Sequence, residues 1–145
     1  MNFNRVVIKV GSALVAPRGE GCSGKYLLAI ARFITECHQV GIEVILVSSG
    51  SVAAGRQLIN HGSPNPSIIT KQAMASVGQM KMMANWQRFF DVPCSQLLIT
   101  HGDLRDRQRY INIKNTLRVL LENHVLPIVN ENDTVATDEL KVGDN

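Results

Sequence analysis

Three short segments carry residue types that can do chemistry on an anion: Lys9-Val10-Gly11-Ser12, Ser48-Ser49-Gly50-Ser51 and Asn130-Glu131-Asn132-Asp133-Thr134. Each closes or directly follows a short apolar run. The lysine supplies a positive charge, the glycines let backbone come close, and the hydroxyl, amide and carboxylate groups supply donors and acceptors. In open α/β sheets, ligands bind beyond the carboxyl ends of the strands, so segments placed this way converge on one mouth. Each segment also has a plainer reading: Lys9 as a strand-edge lysine, Ser48-Ser49-Gly50 as a turn, Asn130 to Asp133 as an Asx-turn. Two features favour a site for a small anionic molecule. Val6, Val7, Ile8 and Val10 make the strand around Lys9 read as central and buried, where a lysine needs a charged partner or an anionic ligand. Gly50 followed by helix-competent Ser51-Val52-Ala53-Ala54 places unpaired N–H groups at a helix start, where an anion is stabilised.

Other chemical motifs fall away. Gly19-Glu20-Gly21-Cys22-Ser23-Gly24-Lys25 fits the first part of a phosphate-binding P-loop, but Tyr26 stands where a magnesium-holding Ser or Thr is required. That segment also begins eight residues after Gly11 instead of turning straight off the strand. His38, His61, His101 and His124 lack metal spacing and read as surface or loop residues, and no metal site is expected. Ser49-Gly50 is no nucleophile elbow, because Val47 occupies the place of the preceding glycine. Cys22, Cys37 and Cys94 are an odd number without metal spacing, which suits a reducing compartment.

The elements that position these segments follow from hydrophobic period. Arg5 to Val10, Ile42 to Val47, Ser95 to Thr100 and Val125 to Val129 are nearly continuous apolar runs, as in buried parallel strands. Leu27, Ile30, Ile34 and Cys37 share one helix face, with Ser23 as N-cap and Gly41 past the end. A second helix opens at Asn65-Pro66 and runs toward Phe90, with Ala73, Val77, Met80 and Ala84 inward. Gly78 inside it costs about 1 kcal/mol against alanine, so it admits a close backbone or a kink. The stripe of Met74, Met80, Met82 and Met83 reads as core or an oligomer face. A third helix, near Asp106 to Asn123, turns Tyr110, Ile113, Leu117, Leu120 and Leu121 to one side, leaving Arg105, Arg107, Arg109 and Arg118 as a solvated face. Alternating β and α units predict a three-layer αβα fold with a mostly parallel sheet and right-handed crossovers.

Composition sets the outer limits. With 145 residues, 45% of them hydrophobic and 19% charged, the chain is one ordered domain able to bury a real core. A net charge of +3 spread along the sequence does not suggest nucleic acid. Lys9 and Gly11-Ser12 break the N-terminal apolar run, so neither a secretory leader nor a membrane span is expected, and a cytoplasmic location follows.

The segments Val7 to Ser12, Val47 to Arg56, Ala75-Ser76-Val77-Gly78-Gln79, Asp106 to Tyr110, Asn130 to Thr137 and Lys141-Val142-Gly143-Asp144-Asn145 together resemble the amino acid kinase family, in order and over the whole chain. Within that family they resemble members that use ATP to phosphorylate the γ-carboxylate of L-glutamate. The resemblance implies Lys9 as the catalytic, phosphate-contacting lysine, with Gly11 and Ser12 in the ATP-phosphate loop. It implies Ser49, Gly50, Asn130, Asp133 and Asn145 as the amino-acid pocket, with Asp133 taking the ammonium and Ser49 or Asn130 the α-carboxylate. ATP and Mg²⁺ are the implied cofactors, and a homo-oligomer and proline as a feedback ligand are implied partners. In the family a longer C-terminal half carries most of the nucleotide and magnesium site. Residues 1–145 are therefore expected to be the amino-acid-substrate lobe without the nucleotide lobe, inactive alone. Kinases of acetylglutamate or carbamate share the lysine-glycine loop, but a free ammonium calls for a partner such as Asp133 whereas an acetylated amine does not. A non-catalytic amino-acid-binding module is the rival of another class.

Overall fold

The apolar runs form four strands, β1 (Arg5–Val10), β2 (Glu43–Ser48), β3 (Cys94–Ile99) and β4 (Leu126–Glu131), in a computed structural model that describes residues 3–137. All neighbours are parallel, and the order is β1-β2-β4-β3. Six helices connect them: α1 (Ser12–Val15), α2 (Leu27–Gln39), α3 (Ser51–Gly55), α4 (Ile68–Gln87), α5 (His101–Arg105) and α6 (Arg107–Glu122). From β1 to β2 the chain steps one way across the sheet, and from β3 to β4 the other way. Right-handed crossovers therefore put α2 and α4 on one face and α6 on the opposite face. This is the three-layer α/β arrangement expected.

The main core lies between the sheet and the α2–α4 layer. Val44 and Leu46 of β2 and Leu126 and Ile128 of β4 pack with Leu27 and Ile34 of α2 and Met82 and Trp86 of α4. Trp86 is fully buried, and its indole Nε1 donates to Ser48 Oγ at 2.9 Å, which ties α4 to the end of β2. Burying such a side chain contributes about 1.5–3 kcal/mol.

Several expectations need correction. β1 is the outer strand of the described sheet, paired only with β2, and Lys9 is exposed rather than buried. The buried run is β4, which has a neighbour on each side and side chains buried along nearly its whole length. α2 begins at Leu27 without a side-chain cap, while Ser23 Oγ accepts from Lys25 N within the preceding loop. α4 begins at Ile68, because Ser67 and not Asn65 offers the hydroxyl that caps Thr70 N. Its inward face is turned from the expected one: Met74, Ala75, Gly78, Gln79, Met82, Asn85 and Trp86 are buried, whereas Ala73, Met80 and Ala84 are exposed and Val77 is half-buried. Both phases are apolar, so period alone does not choose between them. Gly78 chooses, since only its side of α4 lets α3 approach. α5 was not anticipated; Thr100 and Asp103 cap each other's backbone N–H there and make it a separate turn before Asp106 caps α6. Tyr110 is exposed, because α6 has its main contacts with α5 and β4 and buries only Leu121.

Candidate functional site

The mouth is built where β1, β2 and β4 end. Val10 pairs with Ser48 in the ladder, and the Ser49 N–H donates to the Val10 carbonyl at 2.9 Å, which sets Gly11 and Ser49 side by side. Gly11 precedes α1 in extended backbone and Ser12 opens it; both are exposed, and no side chain caps the helix. Gly50 precedes α3 with φ 116°, a conformation that side chains other than glycine resist. A Cβ there would stand 3.0 Å from Val15 Cβ, so Gly50 also lets α1 and α3 meet. α3 likewise starts without a side-chain cap, and the mouth is thus bordered by two short helix starts of that kind.

Beyond β4 the chain turns sharply, with Asp133 N donating to the Glu131 carbonyl at 3.0 Å and Ala136 N to the Asn132 carbonyl at 2.8 Å. The segment is a turn, held by main-chain bonds. Asp133 is buried at 8% exposure, and its Oδ2 accepts the Ser51 hydroxyl at 2.6 Å. A carboxylate is thereby held against the first residue of α3. Asn130 is buried too; its Nδ2 donates to Gln79 Oε1 at 3.1 Å and its Oδ1 accepts the Glu131 N–H at 2.9 Å.

Gly11, Ser12, Ser49, Gly50 and Asp133 therefore come together, with Asn130 beneath them at the end of β4. Lys9 does not share Val10's face toward the α2–α4 layer. It alternates with buried Val10 and lies exposed on the other face of β1. Asn145 lies outside the described residues. The Gly19–Lys25 segment is no phosphate cradle. α1 and a 3₁₀ turn (Pro17–Gly19) separate it from β1, Ser23 N is spent on the Val15 carbonyl, and the Lys25 ammonium sits 5.2 Å from the Tyr26 ring centroid.

Sequence reasoning named Ser51 and Gln79 within their segments but gave neither a role; their side chains hold Asp133 and Asn130. Of the two readings of Gly78, a close backbone or a kink, the close backbone is the one found. α3 crosses α4 backbone to backbone: a Cβ on Gly78 would fall 1.7 Å from the Ser51 carbonyl oxygen, and one on Gly55 2.0 Å from that of Met74. For Gln79 the signal lay in its place beside a mid-helix glycine.

A cavity of about 580 Å³ opens at the other end of the sheet, among His38, Phe89, Phe90, Asp91, Leu121 and His124, and none of the mouth residues lines it. Burial, and then the nearby His124, lower the pKa of His38 there. Burial pushes the Cys94 thiol up to about 11, so it stays protonated and is a poor nucleophile at neutral pH. Among the described residues no group of three His, Cys, Asp or Glu is placed to hold a metal ion, and no helix is long and apolar enough to cross a membrane.

A glycine-bordered mouth at the carboxyl ends of a parallel sheet, with a lysine two residues before the first glycine, defines a class that comparison makes specific: residues 4–145 match the amino acid kinase family, and the chain belongs to it. Its relatives include the glutamate 5-kinase of Idiomarina loihiensis, 61% identical over 99% of this chain. Glutamate 5-kinase 1 of Pseudoalteromonas translucida is 59% identical over 100% of the chain, and the glutamate 5-kinase of Salinibacter ruber 56% identical over 99%. The chain spans 39% of the length of each of these relatives. Among solved structures, the UMP kinase of Bacillus anthracis superposes with a TM-score of 0.50 at 16% identity, covering 89% of this chain and 52% of that one, which supports the fold alone.

Proposed function

We propose that residues 1–145 form the amino-acid-binding lobe of a glutamate 5-kinase, an enzyme that transfers the γ-phosphoryl group of ATP to the γ-carboxylate of L-glutamate and so opens proline biosynthesis. The observation that carries this reading is the buried Asp133 carboxylate, braced by Ser51 beside the Gly50 turn, in a chain 61% identical to a glutamate 5-kinase. Asp133 pairs with the substrate ammonium. Ser49, or the second amide hydrogen of Asn130, meets the α-carboxylate, and Asn145 completes the pocket.

The acceptor carboxylate is already ionised at neutral pH, so the transfer needs no general base. It needs in-line positioning and positive charge or N–H donors against the moving phosphoryl group. Lys9 supplies the charge, and the Gly11-Ser12 start of α1 supplies donors for the ATP phosphates. Among the described residues no group of three His, Cys, Asp or Glu is placed for Mg²⁺, so none of them is assigned to the metal and no step passes through it. The remaining nucleotide contacts are assigned to a further lobe of the kind that the relatives' greater length accommodates. In this reading the enzyme is cytoplasmic and oligomeric, and proline is its feedback ligand.

The test is ATP-dependent trapping of the acyl phosphate as a hydroxamate by a polypeptide that carries this chain and has the relatives' full length. L-Glutamate is the expected acceptor, with N-acetylglutamate inert. N-Acetylglutamate working as well as glutamate overturns the assignment of Asp133 to an ammonium.

A further inference from the structure

We propose that Gln79 is a positioning residue of this site, which fixes the direction in which Asn130 presents its amide, with Gln96 bracing Gln79 from outside. The inference rests on the reading that Asn130 touches the amino-acid substrate. Gln79 projects from α4 and is buried at 7% exposure; its Nε2 donates to Gln96 Oε1 on β3 at 3.0 Å while its Oε1 accepts from Asn130 Nδ2 at 3.1 Å. Three amides thus run in a chain from the exposed edge strand β3 to the buried end of β4.

The direction of that chain is set at one end. An amide side chain has a donor end and an acceptor end of the same shape, and turning it over exchanges them. The Glu131 backbone N–H has no such freedom, and it donates to Asn130 Oδ1 at 2.9 Å. Asn130 must then offer Nδ2 to Gln79, Gln79 must meet it with Oε1, and Gln79 Nε2 must face Gln96 Oε1. Reversing Asn130 or Gln79 alone sets donor against donor or oxygen against oxygen in a buried place, which costs more than the bond itself. A carboxylate recognised at this point needs an N–H and is repelled by a carbonyl oxygen. The Glu131 N–H sets the orientation of Asn130, and Gln79 Oε1 locks it before any ligand arrives, leaving the second amide hydrogen for the substrate. Its backbone is equally fixed, because the adjoining Gly78 is pressed against Ser51 and Gly55 of α3. Gln96 is exposed and can turn to suit its partner.

A double-mutant cycle on L-glutamate affinity, measured in a polypeptide of the relatives' full length, tests this. Gln79→Met is close in volume but cannot hydrogen-bond, and it should raise the glutamate KM about tenfold with kcat and the ATP KM nearly unchanged. In an Asn130→Ala background, Gln79→Met should add nothing. The proposal is overturned if Gln79→Met leaves the glutamate KM unchanged, or if the effect of Gln79→Met persists in full without Asn130. Failure of the underlying site reading looks different: there Asn130→Ala alone leaves glutamate affinity intact.

Discussion

Gly78→Ala sets two effects of opposite sign against each other. Within a helix the change favours folding by about 1 kcal/mol, because alanine loses less backbone freedom. In this helix the new Cβ would stand 1.7 Å from the Ser51 carbonyl oxygen and 2.5 Å from Gly55 N, where no real Cβ comes within 3.0 Å. α3 must retreat from α4 by more than an ångström. It has nowhere to go, since a Cβ on Gly50 would already touch Val15 and Ser51 is bonded to Asp133. Overpacking of side chains costs about 1–3 kcal/mol, and a clash with backbone on both sides belongs at or above the upper end. The net expectation is a loss of about 2 kcal/mol, or a fall in Tm of roughly 8 °C for a domain of this size. Urea and thermal unfolding followed by circular dichroism measure it directly. A midpoint unchanged or raised by the substitution would refute the backbone-to-backbone crossing and the way α3 is positioned.

Lys9→Ala should lower kcat in a full-length polypeptide by about 100-fold or more while moving the glutamate KM little, because its charge acts on the transferring phosphoryl group; steady-state kinetics with kcat near wild type would contradict this. Asp133→Asn removes the charge paired with the ammonium and should weaken glutamate binding by about 1.5–3 kcal/mol, with a smaller change in the ATP KM, as read by calorimetry and kinetics. Burial and His124 hold the pKa of His38 below its ordinary 6.5, so the unfolded chain takes up a proton near that pH that the native chain resists. Stability should therefore fall as pH drops through about 6.5, and urea midpoints at pH 7.5, 6.5 and 5.5 should show His38→Gln flattening part of that slope.

The strands and the mouth were legible because their causes are local. Continuous apolar runs mark parallel strands, and small or polar residues just past them mark strand ends, so β1 was placed to the residue and Gly11, Ser49, Gly50 and Asp133 were brought to one place. What escaped the sequence depends on non-local choices. The inward face of α4 is set by α3 pressing on Gly78, not by period, since Ala73 and Met80 offer as apolar a face as Met74 and Met82. Lys9 lies on an outer strand because order in a parallel sheet is decided by crossovers, which hydrophobicity does not encode. Ser51 and Gln79 were quoted without a role because their partners stand 82 and 51 residues away.

The most direct test of the account is a structure of a full-length polypeptide carrying this chain with L-glutamate bound. The ligand should lie at the carboxyl ends of β1, β2 and β4, its ammonium against Asp133 and its α-carboxylate toward Ser49 and Asn130. Glutamate seated instead in the cavity among His38, Phe90 and His124, at the opposite end of the sheet, would contradict it.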